Sequence, residues 1–330
     1  MGLFSNISAF KNIYSEIQVQ KKFNRQFLIP YLNELETKYS GKFKAEQRKK
    51  IIEYYGLFIT SFLCSSYKKL YGKKLTNDER KRATLFGILT PVGDDLFDID
   101  KLDIEDIKTI TYHPQDFTPT TFSSHTAKEI QAFLLNNVPN REEYLKASKN
   151  VLDIQIETIK QIDPYITKEE LQNITYTKGA VSVIIYHHTL NEPLTDEMRE
   201  VLFTVGSLFQ LGNDIFDLYK DVRDNIYTLV NTCNDYLVFR KNFLEKIREQ
   251  NNKIMSLPYE LRNKKEFCKI INVINARSLV ALDKLVKQQK QHSGKINWWQ
   301  MQRKDMIVDM EKPANVLRWV KYIYRLPKIK

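Results

Sequence analysis

The side chains best suited to chemistry in this chain are carboxylates, and they gather at two places. The first is Gly93-Asp94-Asp95-Leu96-Phe97-Asp98-Ile99-Asp100. On a helix, Asp94 and Asp98 lie one turn apart on one face, with Asp95 beside them. Carboxylates so placed repel one another by roughly 0.2–0.5 kcal/mol per pair. They also crowd a helix C-terminus, where negative charge opposes the macrodipole. A cation removes both penalties. Hard oxygen donors suit Mg²⁺, which keeps several waters and shares substrate phosphates. A solvated acidic helix end is the plain alternative for this cluster taken alone.

The second cluster runs from Gly206 to Asp221, Gly-Ser-Leu-Phe-Gln-Leu-Gly-Asn-Asp-Ile-Phe-Asp-Leu-Tyr-Lys-Asp. Asn213, Asp217 and Asp221 are spaced four and four, so they fan over ~80° of one helix face. Gln210 and Lys220 project with them, and Asp224 extends the stripe. Ile215, Phe216, Leu218 and Tyr219 lie between, so the other sides of this helix favour burial. A polar stripe on such a helix is costly unless it lines a wet or metal-filled cavity. The alternative is a helix with one solvent face. A third piece, Tyr176-Thr177-Lys178-Gly179-Ala180, heads the apolar run 181–186. Lys178 there can hold a phosphate as a point charge; a snorkelling lysine is the plain alternative.

Helices must position all three pieces. The chain has 10 glycines in 330 residues, which disfavours folds built on glycine-rich phosphate loops, and neither nucleotide-binding fingerprint occurs. Leu3, Phe4, Ile7, Phe10, Ile13, Tyr14 and Ile17 follow a three/four rhythm, which predicts an amphipathic helix over 1–20. Further helices are expected over 21–39, 44–70, 77–98 and 140–162. The stretch 108–124 holds Pro114, Pro119 and a Thr/Ser cluster, and reads as a long loop. Thr167 and Glu170 form a capping box for the next helix. Thr195 is the expected N-cap of the helix that carries the second cluster beyond residue 220. Helices then follow over 231–255, 264–291 and 304–324. No alternating runs joined by hairpin turns occur. The expectation is one all-α domain over 1–330, a bundle of roughly ten helices.

Several chemistries are excluded. An EF-hand loop starting at Asp98 would place Asp103 where glycine is required. No His-Glu-x-x-His zinc motif is present. Cys64, Cys233 and Cys268 are widely spaced, which fits a reducing cytosol better than a disulfide framework. The net charge of +11 is scattered and comes with no nucleic-acid-binding motif, so no nucleic-acid partner is expected. The longest apolar stretch, 54–64, is too short to span a bilayer. No signal peptide is visible, and Asn6 stands where a myristoylation site needs Ser or Thr.

Together these pieces resemble the class I isoprenoid synthases, the family of prenyl diphosphate synthases and terpene synthases. Asp94-Asp95-Leu96-Phe97-Asp98 is similar to the family's D-D-x-x-D. GSLFQLGNDIFD at 206–217 is similar to the prenyltransferase motif G-x-x-F-Q-x-x-D-D-x-x-D, with Asn213 at the first Asp. In a second register, Asn213-Asp214-x-x-Asp217-x-x-x-Asp221 is similar to the terpene cyclase motif N-D-x-x-S-x-x-x-E. A D-x-x-x-D register, as in squalene and phytoene synthases, is also available at Asp217 and Asp221. No Gly-Lys-x-x-Arg-Pro element precedes the first motif, which favours a cyclase over a coupling enzyme.

The resemblance implies a bundle around a central cavity. It implies that Asp94, Asp95, Asp98, Asn213, Asp214, Asp217 and Asp221 hold Mg²⁺, with Lys178, Lys220, Arg223, Arg303 and Lys304 on the substrate diphosphate. Phe86, Leu89, Tyr186, Phe209, Gln210 and Phe216 would line the cavity. His187 and His188 read as polar helix-end residues. The activity implied is Mg²⁺-dependent ionisation of an allylic prenyl diphosphate, followed by cyclisation or elimination. Coupling of two isoprenoid diphosphates and a non-catalytic isoprenoid- or partner-binding role stay open as alternatives. So do a homodimer and contact of the first helix with the inner face of a membrane, in a cytoplasmic protein.

Overall fold

The computed structural model describes residues 3–292 and 294–328, with side chains described for 13–292 and 294–327. Met1 and Gly2, and the side chains of Leu3, Phe4, Ile7 and Phe10 on the first helix's expected apolar face, lie outside that set. Among the described residues the chain is all-α, with no strand.

In chain order the helices are α1 (Leu3–Phe23), α2 (Ile29–Lys38), α3 (Ala45–Lys49), α4 (Ser65–Leu70), α5 (Asn77–Asp98), α6 (Ile104–Tyr112) and α7 (Phe122–Asn137). There follow α8 (Arg141–Glu157), α9 (Lys168–His187), α10 (Asp196–Arg223), α11 (Tyr236–Ser256), α12 (Leu261–Gln291), α13 (Arg303–Met306) and α14 (Pro313–Arg325). A π-helical stretch, Lys50–Cys64, joins α3 to α4, so the expected helix over 44–70 is continuous.

Local chemistry sets the helix starts. The Thr167 amide donates to Glu170 Oε2 (2.9 Å) and the Glu170 amide to Thr167 Oγ1 (3.2 Å), the expected capping box. Thr195 caps α10 by accepting from the Met198 amide (3.3 Å). A further capping box, Thr76 with Glu79, starts α5.

Three expectations need correction. The stretch 108–124 is not one long loop. Asp103 caps α6 by accepting from the Asp106 amide (2.7 Å), and Thr121 caps α7 by accepting from the Ser124 amide (3.1 Å). Pro114, Pro119, Thr118, Thr120 and Thr121 do lie between the two helices, while α6 runs on to Tyr112 with Thr109 donating to the Glu105 carbonyl (2.8 Å) and Thr111 to that of Ile107 (2.7 Å). The helix expected over 304–324 is broken at 307–312, because Pro313 fits the first turn of α14 and not a helix interior. The helix expected from 231 begins at Tyr236, capped by Asp235.

By its internal contacts the chain divides into two compact units, Met1–Leu152 with Ile185–Leu194, and Asp153–Ile184 with Thr195–Lys330. Two of the crossings fall inside α8 and α9, so no change in composition marks them. In the first unit, α5 packs on α7 and on Lys50–Cys64. Gln20 ties α1 to this body by donating to the Gly56 carbonyl (2.6 Å) and to Thr84 Oγ1 (3.1 Å). In the second unit, α10 packs on α11 and α12. Its Leu211, Ile215 and Leu218 share a core with Phe243, Ile247, Leu279 and Leu282.

Candidate active site

The second unit builds its site where α9 crosses α10. A Cβ on Gly179 would stand 2.0 Å from the Gly206 carbonyl oxygen, so the two backbones touch and no side chain fits between them. Close approach brings the next turns of both helices within hydrogen-bonding reach. Thr175 on α9 donates to Asp214 Oδ2 (3.4 Å), and Gln210 on α10 donates to Asp214 Oδ1 (2.8 Å). Asp214 and Asp221 are buried, whereas Asp217, between them on the same stripe, is exposed. Lys178, next to Gly179, is half-buried and faces the same group.

The electrostatics follow from that crowding. Burial pushes the Asp214 carboxyl up, and the Asp217 charge adds to it; Gln210, Lys178 and Thr175 oppose them, leaving it at about 6. Asp221 is pushed up to about 8, first by burial and then by the charges of Asp214 and Asp217, against the pull of Lys220 and Lys178. Three carboxyl groups thus share one face with two ammonium groups.

The face differs by one position from the sequence expectation. Gln210, Asp214, Asp217 and Asp221 form it, while Asn213 is exposed beside it. The reason is the core: Leu211, Ile215 and Leu218 turn inward to α11 and α12, which turns Asp214 to α9. Lys220 is exposed and still draws Asp221 down. Other expected diphosphate ligands stand elsewhere. Arg223 makes a two-pronged ion pair with its neighbour Asp224 (2.7 and 3.0 Å). Arg303 lies over the Tyr219 ring, 5.5 Å from its centre, and Tyr219 is about half a turn away from the carboxyl stripe. Lys304 is exposed, and its carbonyl accepts from Lys284 (3.0 Å).

The first unit holds the other cluster at the end of α5. Asp94 and Asp98 are exposed, and Asp95 is half-buried with Oδ2 accepting from Gln47 (2.7 Å). Burial raises the nearby Tyr55 phenol, and the Asp94 charge raises it further. Asp100 accepts from the Thr121 hydroxyl, which ties the end of α5 to the start of α7.

The expected cavity residues divide between the units. In the first, Phe86 and Tyr186 are buried edge to face, 4.8 Å between ring centres, and Leu89 is half-buried. In the second, Phe209 and Gln210 are half-buried, and Phe216 has the Arg277 guanidinium over its ring at 4.8 Å. That guanidinium occupies one face of Phe216. His187 is buried in the first unit with its Nε2 2.6 Å from the Tyr71 hydroxyl.

Among the described residues, no group of three or more His, Cys, Asp or Glu side chains is placed so that it could hold a metal ion by itself. Mg²⁺ does not require one, since it binds through one or two carboxylates together with waters and phosphate oxygens. The carboxylate oxygens of Asp214, Asp217 and Asp221 on α10 are donors of the kind a hard divalent cation takes. Thr175 escaped the sequence reading. Its signal was Gly179 one turn further on, a glycine inside a helix in a glycine-poor chain.

No family model, no curated protein and no solved structure matches this chain. The fold class and the side-chain geometry therefore carry the functional reading.

Proposed function

We propose that the protein is a Mg²⁺-dependent class I terpene synthase that ionises the diphosphate of an allylic prenyl diphosphate. The observation that carries this reading is the α10 stripe: Asp214, Asp217 and Asp221 on one face, two of them buried, with Lys178 beside them on α9. Such a concentration of carboxyl groups suits a site that handles a divalent cation and a polyanion together. In the second unit, Asp214, Asp217 and Asp221 on α10, with Asn213 beside them, are the residues that would hold Mg²⁺; in the first unit, Asp94, Asp95 and Asp98 on α5 are a candidate set of their own. Bound there, Mg²⁺ supplies charge that stabilises the departing diphosphate.

The chain's own groups do the rest. Lys178 adds a positive charge for the phosphate oxygens. Thr175 and Gln210 fix the orientation of Asp214 and so keep the stripe rigid. A cation held by Asp221 would favour its carboxylate form, so binding there would release a proton. Within the second unit, Phe209 is the side chain assigned to the hydrocarbon, and aromatic faces favour a carbocation.

The test is incubation of the purified protein with prenyl diphosphates of ten to thirty carbons and Mg²⁺, with extracts read by mass spectrometry. A cyclic or eliminated product from one substrate, absent with chelator, is expected. Products that form only when isopentenyl diphosphate is added would make the protein a coupling prenyltransferase instead. Metal-independent binding without turnover would make it a non-catalytic carrier.

A further inference from the structure

Helix α14 has two distinct apolar sides. One fastens it to the second unit. Trp319 Nε1 donates to the Val273 carbonyl (2.8 Å), the Tyr322 hydroxyl donates to Asp283 (2.7 Å), and Ile323 is buried. The other side carries Leu317, Val320 and Tyr324, which are 71%, 50% and 40% exposed. At 100° per residue these three fall within about 60° of the helix circumference, and Arg318, Lys321 and Arg325 occupy about the next 100°. All three basic residues are exposed, Lys312 precedes them at the helix start, and α14 contains no Asp or Glu. An exposed apolar stripe bordered by one sign of charge marks an interaction surface.

We propose that this face of α14 docks on an anionic lipid surface, with Leu317 and Val320 entering the headgroup region and Arg318, Lys321 and Arg325 over the lipid phosphates. Charge selects that occupant. A second copy of the same face would bring like charges together across a twofold axis. A zwitterionic surface would offer the basic residues no net counter-charge, whereas an anionic one does so along the whole helix. The helix has 13 residues, and no described helix is long and apolar enough to cross a membrane, so α14 would lie in the plane of the surface. Its inner side stays bound to Val273 and Asp283 throughout, so docking requires no unfolding. This surface is separate from the diphosphate chemistry and stands or falls independently of it.

The test is sedimentation of the full-length protein with vesicles of phosphatidylcholine alone and with vesicles of equal parts phosphatidylcholine and phosphatidylglycerol. Binding to the anionic vesicles only, weakening as salt is raised, is expected. The double variant Arg318→Gln, Lys321→Gln should bind roughly twenty-fivefold more weakly, about fivefold for each charge. Leu317→Gln should lose about tenfold from lost apolar insertion. Leu237→Gln, an exposed position on α11, should bind as the unaltered protein does. All four variant positions are exposed, and unchanged melting curves would show that folding is not the cause. Failure to bind anionic vesicles would overturn the proposal. So would binding that all these variants retain, or a concentration-dependent dimer that Leu317→Gln disrupts.

Discussion

Asp214 raises the carboxyl of Asp221, which stands two turns further along α10. Burial is the larger cause, and together they hold Asp221 at about 8 against an ordinary value of 3.8. A carboxyl raised in the folded state contributes stability that is fully present below its unfolded pKa and is lost as the pH rises through its folded one. Asp214 does the same through about 6. Metal-free protein should therefore lose stability from these two groups across that range.

Asp221→Asn should remove the upper part of that loss. In thermal melts with chelator, the variant should gain on the unaltered protein at about pH 9 and show no such gain at about pH 4. An equal displacement at both pH values would mean that Asp221 is not the titrating group.

The glycine crossing gives a second prediction. Gly206→Ala places a methyl group against the Gly179 carbonyl, 2.2 Å away, where backbone must move. A loss of about 2 kcal/mol or more is expected by urea unfolding, despite alanine's better helix propensity. Gly93→Ala on α5 meets nothing within 4 Å and should gain stability, by roughly 0.5–1 kcal/mol. Opposite signs for the two substitutions would show that close approach, not glycine's helix propensity, decides.

The first unit offers a contrast in acid. Lys68 is buried with its ammonium 2.7 Å from Glu79 and 2.6 Å from Glu192. Burial pushes the Glu79 carboxyl up, but Lys68 and the amides of Thr76 and Asn191 outweigh it and leave it lowered. Its stability contribution is present above the ordinary 4.5 and is lost as the pH falls through the lowered value. Lys68→Met should leave two buried carboxylates against each other and cost about 3 kcal/mol or more at neutral pH. A melting temperature unchanged at neutral pH would contradict the buried network.

Much of this architecture was legible in the sequence because the signals were local. Thr167 with Glu170 and Thr195 marked two helix starts correctly, since capping depends on residues three apart. In the region 108–124 the prolines and most of the Thr/Ser cluster do mark the connection, but α6 runs on to Tyr112 and α7 already begins at Phe122. Thr109 and Thr111 return their hydroxyls to α6 and do not end it, which only the packed structure shows. At the site, the spacing of Asp217 and Asp221 was readable, but the face was set by which neighbours the core claimed. Leu211, Ile215 and Leu218 face the core and Asp214 is buried, while Asn213 and Asp217 are exposed. The partnership of Thr175 with Asp214 depends on two helices touching at Gly179 and Gly206, a tertiary relation at which two glycines inside helices hint without saying that they meet.

Asp100 supplies a control for the acidic clusters. It accepts from the Thr121 hydroxyl that caps α7. Asp100→Ala should therefore cost about 1 kcal/mol of stability while turnover per folded molecule holds. Reduced turnover with stability intact would extend the site to this residue.

The most direct measurement is release of inorganic diphosphate from a panel of prenyl diphosphates by the unaltered protein, Asp217→Ala and Asp221→Ala, each with Mg²⁺ and with chelator. Release by the unaltered protein that requires Mg²⁺ is expected, with a fall of about a hundredfold or more in both variants, because the leaving-group charge is then uncompensated in the transition state. Both variants should melt at or above the unaltered protein in chelator at neutral pH, since each removes a crowded carboxyl group. Near-normal release by Asp217→Ala and Asp221→Ala, or release that chelator leaves untouched, would contradict the account.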